Sequence, residues 1–406
     1  MLRFAFSPNG DMNIGDLRVA ILNYIVSKQR GEGFIVRIED LDKERSSEQK
    51  EQEMLGILGL FGIEYSHIVH QSQNFRFHAA MALQLLLEKR AFNCFCSHEW
   101  LEKKQEEAKN NNEAYRYDDA CASLPDELVI DNENPFTVRI KKLQEPNAES
   151  FIIMSEDKRP TYSFACGIDD MLGDISLVIR DEEHIDDASK EDWIRTSLGY
   201  EKKIEYAHLP LMQDGTSSVK WLLEEGFLPS AITNYLISTV NKQPKEIFTM
   251  QEAIEWFSLE NISKSPNRFD INILKHINKE HLMMLDAKEL SRYVGFADVE
   301  IGELAKIYLE EANTTKELRA KIASIFAKKD IPDEFKEYAD TIVKIVKDAP
   351  YFEEYEDFKN HIMNESGLKD KDIFKPLCIL LTGTEYGPDI AAVYKYIKNY
   401  LGEIVK

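Results

Sequence analysis

The sequence predicts an α/β fold that carries an insertion and ends in an all-α region. Three observations predict it. Strand and helix patterns alternate over the first 90 residues, the alternation breaks between residues 94 and 160, and beyond about residue 245 only helix patterns are found. Strands that alternate with helices pair in parallel through right-handed crossovers. The expected boundaries are 1–93 and 161–245 for the two halves of the α/β domain, 94–160 for the inserted subdomain and 246–406 for the helical domain.

Leu2–Phe6 (LRFAF) is a short apolar run and reads as the first strand. Leu17, Ala20, Ile21, Tyr24 and Ile25 follow at i, i+3, i+4, i+7 and i+8, the apolar face of an amphipathic helix. Phe34–Ile38 in GFIVRIED is the second strand, and residues 75–90 are helical again. The stretch 94–160 holds CFC, a polar helix (LEKKQEEAKNNNE) and a strand candidate (PFTVRIKKL). The rhythm resumes at Thr161, with strand candidates at 175–180 and 204–212. Helix patterns then occupy 251–257, 300–311, 315–327, 334–347, 352–364 and 389–404.

With 406 residues, 43% hydrophobic and 30% charged, the chain has the composition of a soluble globular protein of two or three domains. Its net charge of −22 and pI near 4.9 argue against non-specific DNA binding, which needs a basic face, while leaving room for a local basic patch. No run of 18 apolar residues is present, so no membrane span is expected. The first residues form a strand pattern rather than a basic segment followed by an apolar one, so no secretory signal is expected. Five cysteines without a framework pattern suit a reducing cytoplasm.

Between the first strand and the first helix lies SPNGDMNIGD, residues 7–16. A strand entering a Gly-containing loop and then a helix is a ready anion site, because the helix start offers N–H groups and a partial positive charge. This loop carries two aspartates, no basic residue, no Gly-rich dinucleotide fingerprint and no phosphate-loop lysine. Taken alone, it reads as a nucleotide site or as a structural turn.

Longer stretches carry a resemblance. RFAFSPNGDMNIGDLRVAILNY followed by FIVRIEDLDKERS resembles the start of glutamyl-tRNA synthetases, whose usual form is R-F-A-P-S-P-T-G…H-I-G-(G/N)-L-R-T-A…R-I-E-D-T-D. AFNCFCS…YRYDDAC resembles the zinc-bearing insertion of some members, and RPTYSFACGIDDM the segment P-T-Y-(N/H)-x-A…D-D. YAHLPLM and SSVKWLLEEGFLPSAITNYL resemble the end of the catalytic part; SPNRFDINILKHIN and FKPLCILLTG resemble the helical part. The resemblance runs in order over nearly the whole chain. It implies a class I synthetase Rossmann-like catalytic domain with an inserted connective domain, a stem-contact region within 161–245 and an all-α anticodon-binding domain. It also implies ATP and Mg as the cofactors of an active enzyme and tRNA-Glu as partner.

Class I synthetases activate an amino acid with ATP and pass it to tRNA by positioning and by stabilising phosphate charge. Two signatures supply this, H-I-G-H at the first helix and a mobile K-M-S-K-R loop near the end of the fold. Here the first reads Asn13-Ile14-Gly15-Asp16. Asn13 can donate a hydrogen bond but carries no charge, and Asp16 puts a carboxylate where an anion would bind. Asn9 replaces the Thr of S-P-T-G, and Phe6 the Pro of A-P-S-P. The second signature is missing: the chain runs from Met212 through Gln213-Asp214-Gly215-Thr216-Ser217-Ser218 into Val219-Lys220-Trp221, and Lys220 belongs to the following helix. The stretch between Lys142 and Phe151 is also shorter than the family's. Of the pattern R-G-E-D-H-x-x-N-T-P-x-Q, Arg180, Glu182 and His184 survive, whereas Asp181, Asp187 and Glu191 are new acids that make a pocket for glutamate and a triphosphate more negative. Losing one preorganised donor costs roughly 10²–10³ in rate. Losing a histidine and two lysines is expected to cost about 10⁴–10⁶.

By resemblance the catalytic positions are Asn13, Gly15 and Asp16, and the substrate pocket falls on Arg3, Ala5, Ser7, Glu39, Tyr162, Arg180 and His184. Arg3 would pair bidentately with a carboxylate or simply close an edge strand. Glu39 would meet the substrate amino group or be neutralised by Arg37. Tyr162 would face the pocket or the core. Cys94, Cys96 and Cys121 have the family's zinc spacing and offer three corners of a tetrahedron. The fourth ligand falls on Ser123, a poor one, for which His98 or Tyr117 would substitute; three buried thiols without a metal are the alternative. Arg268 and Lys275 would contact tRNA or be solvated surface charges.

Three functions stay open at this point. The chain is a pseudo-synthetase that keeps the fold and tRNA-Glu recognition without adenylation, or an active glutamate–tRNA ligase that handles phosphates with other groups. Alternatively it is an adaptor or regulator whose acidified pocket takes a cationic ligand or a protein partner.

Overall fold

The computed structural model describes residues 1–142, 148–214 and 217–405. The expected shortening between Lys142 and Phe151, and the expected loss of a signature loop around Gly215–Thr216, lie in part outside the described residues. The chain divides into two compact units: Met1–Val219 with Leu236–Pro244 and Met250–Phe269, and Lys220–Tyr235 with Lys245–Thr249 and Asp270–Lys406.

The first unit opens with β1 (Leu2–Phe6), α1 (Ile14–Arg30), β2 (Phe34–Ile38), α2 (Glu48–Leu60), β3 (Ile68–His70) and α3 (Phe75–Leu87). The insertion follows as β4 (Ala91–Cys94), α4 (His98–Asn110), α5 (Asp126–Ile130), β5 (Thr137–Ile140) and β6 (Phe151–Met154). The chain returns through α6 (Tyr162–Leu172), β7 (Leu177–Asp181), α7 (Ile185–Ser197), β8 (Glu205–Leu209) and β9 (Met212–Gln213). Five strands form one parallel sheet in the order β3-β2-β1-β7-β8, with β1 in register on β2 from Leu2↔Phe34 to Phe6↔Ile38. Every residue of β2 is buried, as expected of a parallel strand covered on both faces. The insertion makes its own antiparallel sheet, β4-β5-β6. It packs through Val138, Ile140, Ile153 and Met154 on Leu85 of α3, Phe164 and Ile168 of α6 and Ile194 of α7.

Helix α1 starts at Asn13 and stops at Gly31, whose φ of 62° is the left-handed value a helix-ending glycine adopts without strain. Its buried face includes Leu17, Ala20, Ile21, Tyr24 and Ile25, the residues whose spacing predicted it.

The remaining elements are α8 (Val219–Glu224), α9 (Pro229–Ser238), α10 (Met250–Trp256), β10 (Asn267–Arg268), α11 (Ile271–Met284), α12 (Ala287–Tyr293), α13 (Val299–Ile307), α14 (Thr315–Phe326), α15 (Lys336–Asp348), α16 (Tyr355–Ser366), α17 (Asp370–Thr382), α18 (Ile390–Ile397) and α19 (Leu401–Ile404). The expectation of helices alone beyond residue 245 is corrected at β10, which pairs in parallel with Met212–Gln213 of the first unit. The second unit is otherwise helical, with a core that includes Leu304, Leu318, Ile342, Phe358, Leu377 and Val393. Among the described residues, no helix is long and apolar enough to cross a membrane.

Candidate functional site

A pocket of about 310 Å³ opens at the carboxyl ends of β1, β2 and β7. From β1 the chain crosses to β2 on one side, and from β7 to β8 on the other. The gap between them is the switch point at which parallel α/β sheets place their ligands. Arg3, Ala5, Ser7, Asn13, Asp16, Glu39, Tyr162, Arg180 and His184 all line it. Residues from five separate segments thus line one pocket. Gly15 stands in the first turn of α1 rather than on the wall. A Cβ there would lie 3.0 Å from Asn13 Oδ1, so the bare glycine leaves room for Asn13 to fold back.

The start of α1 is closed by the chain itself. Asp16 N donates to Asn13 Oδ1 at 3.0 Å and Asn13 N donates to Asp16 Oδ2 at 3.1 Å, a reciprocal capping box. Ile14 N donates to Ser217 O at 3.1 Å, and Val219 N donates to Met12 O at 2.9 Å. The segment 217–219 is therefore laced to the helix start through an antiparallel bridge between Asn13 and Ser218. N–H groups that a phosphate would use are engaged. Burial pushes the Asp16 carboxyl up to about 6; Asp181 and Glu183 add to this, and the Asn13 N–H opposes it.

The arginines of the pocket are also engaged from within. Arg3 pairs bidentately with Asp170 of the chain itself, Nε to Oδ1 at 3.0 Å and Nη2 to Oδ2 at 3.1 Å, and β1 lies in the middle of the sheet, so the reading of Arg3 as closing an edge strand is corrected. Arg37 donates to the same Asp170 and to Glu39 Oε1 at 3.1 Å. Glu39 lines the pocket and is paired with Arg37, as the reading of it as a neutralised carboxylate expected. Arg180 holds Glu191 with both terminal nitrogens, at 2.8 and 3.2 Å. Arg18, fully buried behind the wall, donates to Asp181 Oδ1 at 3.0 Å and to Pro210 O at 2.7 Å. Tyr162 is 40% exposed and faces the pocket rather than the core. Its hydroxyl is held protonated chiefly by desolvation.

The picture of four new acids inside the pocket needs correction. Asp16 and Asp181 line it; Asp187 and Glu191 stand behind the wall, each holding a pocket side chain. Asp187 accepts from Ser163 Oγ at 2.7 Å and meets His184 Nδ1 at 3.2 Å. Burial raises its pKa, but these two hydrogen bonds together with the charges of Lys190 and His184 leave it lowered. Ser163, Asp187 and His184 are not a nucleophilic triad, because the carboxylate rather than the imidazole sits in the middle.

In the insertion, Cys94, Cys96 and Cys121 bring their sulfurs within 4.8 Å of one another. Tyr117 Oη completes the group, 3.2 Å from Cys94 Sγ and 3.5 Å from Cys96 Sγ. The other substitute, His98, is exposed and paired with Glu102, and Ser123 is exposed. The Cys96–Cys121 sulfur distance is 3.6 Å, close to the edge of about 3.8 Å that a tetrahedron with zinc–sulfur bonds of about 2.3 Å requires. Burial would raise the Cys94 thiol, yet Tyr117, the Cys96 N–H and Arg139 draw it below its ordinary value.

Arg268 lies on β10 in the first unit, paired with Asp214 at 2.6 Å; Lys275 lies half-buried on α11 in the second. Sequence reasoning missed Asp170, the buried centre that Arg3 and Arg37 share, and Arg18. The double aspartate in GIDDM and the arginine in LRVAIL were visible, but nothing local marks a charge destined for the interior.

The family profile "tRNA synthetases class I (E and Q), catalytic domain" matches residues 1–276. Glutamate–tRNA ligase 2 of Sulfurimonas denitrificans is 70% identical, with 100% of both chains covered. Glutamate–tRNA ligase 1 of Nitratiruptor sp. is 50% identical with the same coverage. Both alignments run over 432 positions, more than this chain's 406 residues. A crystal structure of a glutamate tRNA ligase from Elizabethkingia meningosepticum, in complex with its amino acid, superposes with a TM-score of 0.80 at 22% identity. It covers 99% of this chain and 97% of that one, and at such identity the likeness speaks for the fold alone. With a profile that spans the parallel-sheet unit and relatives that match from end to end, the chain belongs to the class I glutamyl-tRNA synthetase family.

Proposed function

We propose that this chain is a glutamyl-tRNA synthetase homologue that keeps tRNA-Glu binding and has lost ATP-dependent glutamylation. The observation that carries this reading is the closed start of α1. The family's reaction calls for glutamate, ATP with Mg, and tRNA-Glu, but the residues present do not fit a triphosphate. The helix-start donors bond to Asn13 and Ser217. The wall carries Asp16, Asp181 and Glu183, and neither a histidine nor a signature lysine is found at the positions that handle phosphate charge. An alignment longer than the chain agrees with segments having been lost from it.

The test pairs two assays on the purified full chain. ATP–pyrophosphate exchange with glutamate and tRNA is expected to stay at background, while a gel shift with tRNA-Glu persists and weakens steeply with salt. Exchange at a rate near that of a working ligase overturns the loss of adenylation. Absence of any shift overturns tRNA binding and leaves a bare scaffold.

The Cys94, Cys96 and Cys121 thiols fit three ligands of a structural zinc in donor type and spacing, with Tyr117 Oη beside them. Purified protein is expected to carry about one zinc per chain, and Cys121→Ser to lose it together with the protease resistance of residues 94–160. Zinc-free protein whose insertion resists protease equally well would dismiss the site.

A further inference from the structure

Asn9 and Gly10 stand between β1 and α1, outside any helix or strand, and form the one Asn-Gly pair of the whole sequence. Asn9 is exposed and lines the pocket together with Asp11 and Asp16. The loop is anchored through its main chain: Asn9 N donates to Ser7 O at 2.9 Å, and Ser47 N donates to Pro8 O at 2.9 Å. Gly10 has no left-handed φ, and a Cβ there would meet nothing within 4 Å. Neither backbone conformation nor packing calls for a glycine here. Its bareness leaves a main-chain nitrogen that a neighbouring group can approach closely. Other asparagines are better protected. Asn13 is tied into the helix cap and is followed by the β-branched Ile14. Asn23 is buried and donates to Val19 O and Ile179 O.

We propose that Asn9-Gly10 is a site of spontaneous deamidation, a modification that adds a carboxylate to the pocket wall. Gly10 N forms a bond to Asn9 Cγ. The Cγ–Nδ2 bond breaks, and the side-chain nitrogen leaves as ammonia with the proton given up by Gly10 N. The cyclic imide then takes up one water. Opening at Cγ gives aspartate on an unaltered main chain. Opening at the Asn9 carbonyl carbon gives isoaspartate, whose main chain runs through Cγ and is one methylene longer. The net change is a gain of water and a loss of ammonia, with no oxidant, metal or second protein. Either product puts a new negative charge on a wall that already carries Asp11, Asp16, Asp181 and Glu183, and so disfavours anionic ligands further.

The experiment is incubation of the purified full chain at mildly alkaline pH, sampled over days by peptide mass mapping and isoelectric focusing. Methylation by an isoaspartyl methyltransferase serves as the probe for isoaspartate. The native chain is expected to show exchange of NH for O at Asn9 before any other asparagine, with an acidic shift and a methylatable fraction. Gly10→Ala, whose Cβ meets nothing, is expected to keep the wild-type urea midpoint and lose most of the product. Asn9→Thr is expected to lose all of it. The proposal is overturned if the native chain stays unmodified at Asn9 while the same chain unfolded in urea reacts there. It is equally overturned if the exposed Asn110, Asn111 or Asn112 reacts first, or if Gly10→Ala deamidates as fast as the wild type.

Discussion

Asp170→Ala is expected to destabilise the parallel-sheet unit by about 3–5 kcal/mol, the cost of removing one partner from a buried ion pair. Asp170 has no exposed surface and answers two guanidiniums, Arg3 and Arg37, each about 3% exposed. Cutting it away leaves two desolvated cations, with Glu39 on the far side of Arg37 as the carboxylate still in reach. Asp170→Asn keeps an acceptor and should fall between the variant and wild type. The pH dependence has a definite sign. Burial alone would raise this carboxyl, but Arg3 and Arg37 together hold it well below the usual carboxylate range. A carboxyl depressed in the folded state contributes stability that is fully present above about pH 4 and lost as pH falls below that toward the folded value. Urea unfolding followed by circular dichroism should therefore show a constant gap between wild type and Asp170→Ala from pH 5 to 7, narrowing below pH 4. A gap under about 1 kcal/mol at pH 7 would mean that the network is far less important than its burial implies.

Gly302→Ala is the second large effect, and here helix propensity and packing disagree in sign. Gly302 sits inside α13, where alanine is worth about 1 kcal/mol in intrinsic propensity. A Cβ at this position would lie 1.7 Å from the carbonyl oxygen of Ala287 and 2.5 Å from its carbonyl carbon. Those are backbone atoms at the start of α12, so no side chain can swing aside and the two helices must part. The net cost is expected to be about 3 kcal/mol or more, at the upper end of overpacking. Gly402 in α19 meets nothing within 4 Å and provides the control. Gly402→Ala should be neutral or slightly stabilising in the same urea titration. If Gly302→Ala unfolds at or beyond the wild-type midpoint, the close approach of α12 and α13 is wrong.

The elements that periodicity marks were readable before the structure. β1, β2 and α1 lie where LRFAF, FIVRI and the i, i+3, i+4 series put them. Helix α2 escaped because EQKEQEMLGILGL is charged at one end and broken by Gly56 and Gly59, both with open space at the Cβ position. Helix α17 escaped because Pro376 stands inside it. The strand expected over 204–212 is two strands, β8 and β9, with Pro210 between them. The pocket residues were legible because they sit in short motifs at strand ends. Their partners were not: Arg3 and Asp170 are 167 residues apart, Arg18 and Asp181 163, and a buried ion pair leaves no periodic trace.

A ligand site normally keeps some polar groups unanswered, and the fold bears that deficit until the ligand arrives. At the mouth of α1 the deficit has been cancelled. Asn13, Asp16 and Ser217 answer the helix start from within, and a reciprocal cap of this kind contributes about 1 kcal/mol to folding. The groups at this helix start support the native state directly. Reopening the helix start by mutation would thus weaken the protein before it could strengthen any ligand.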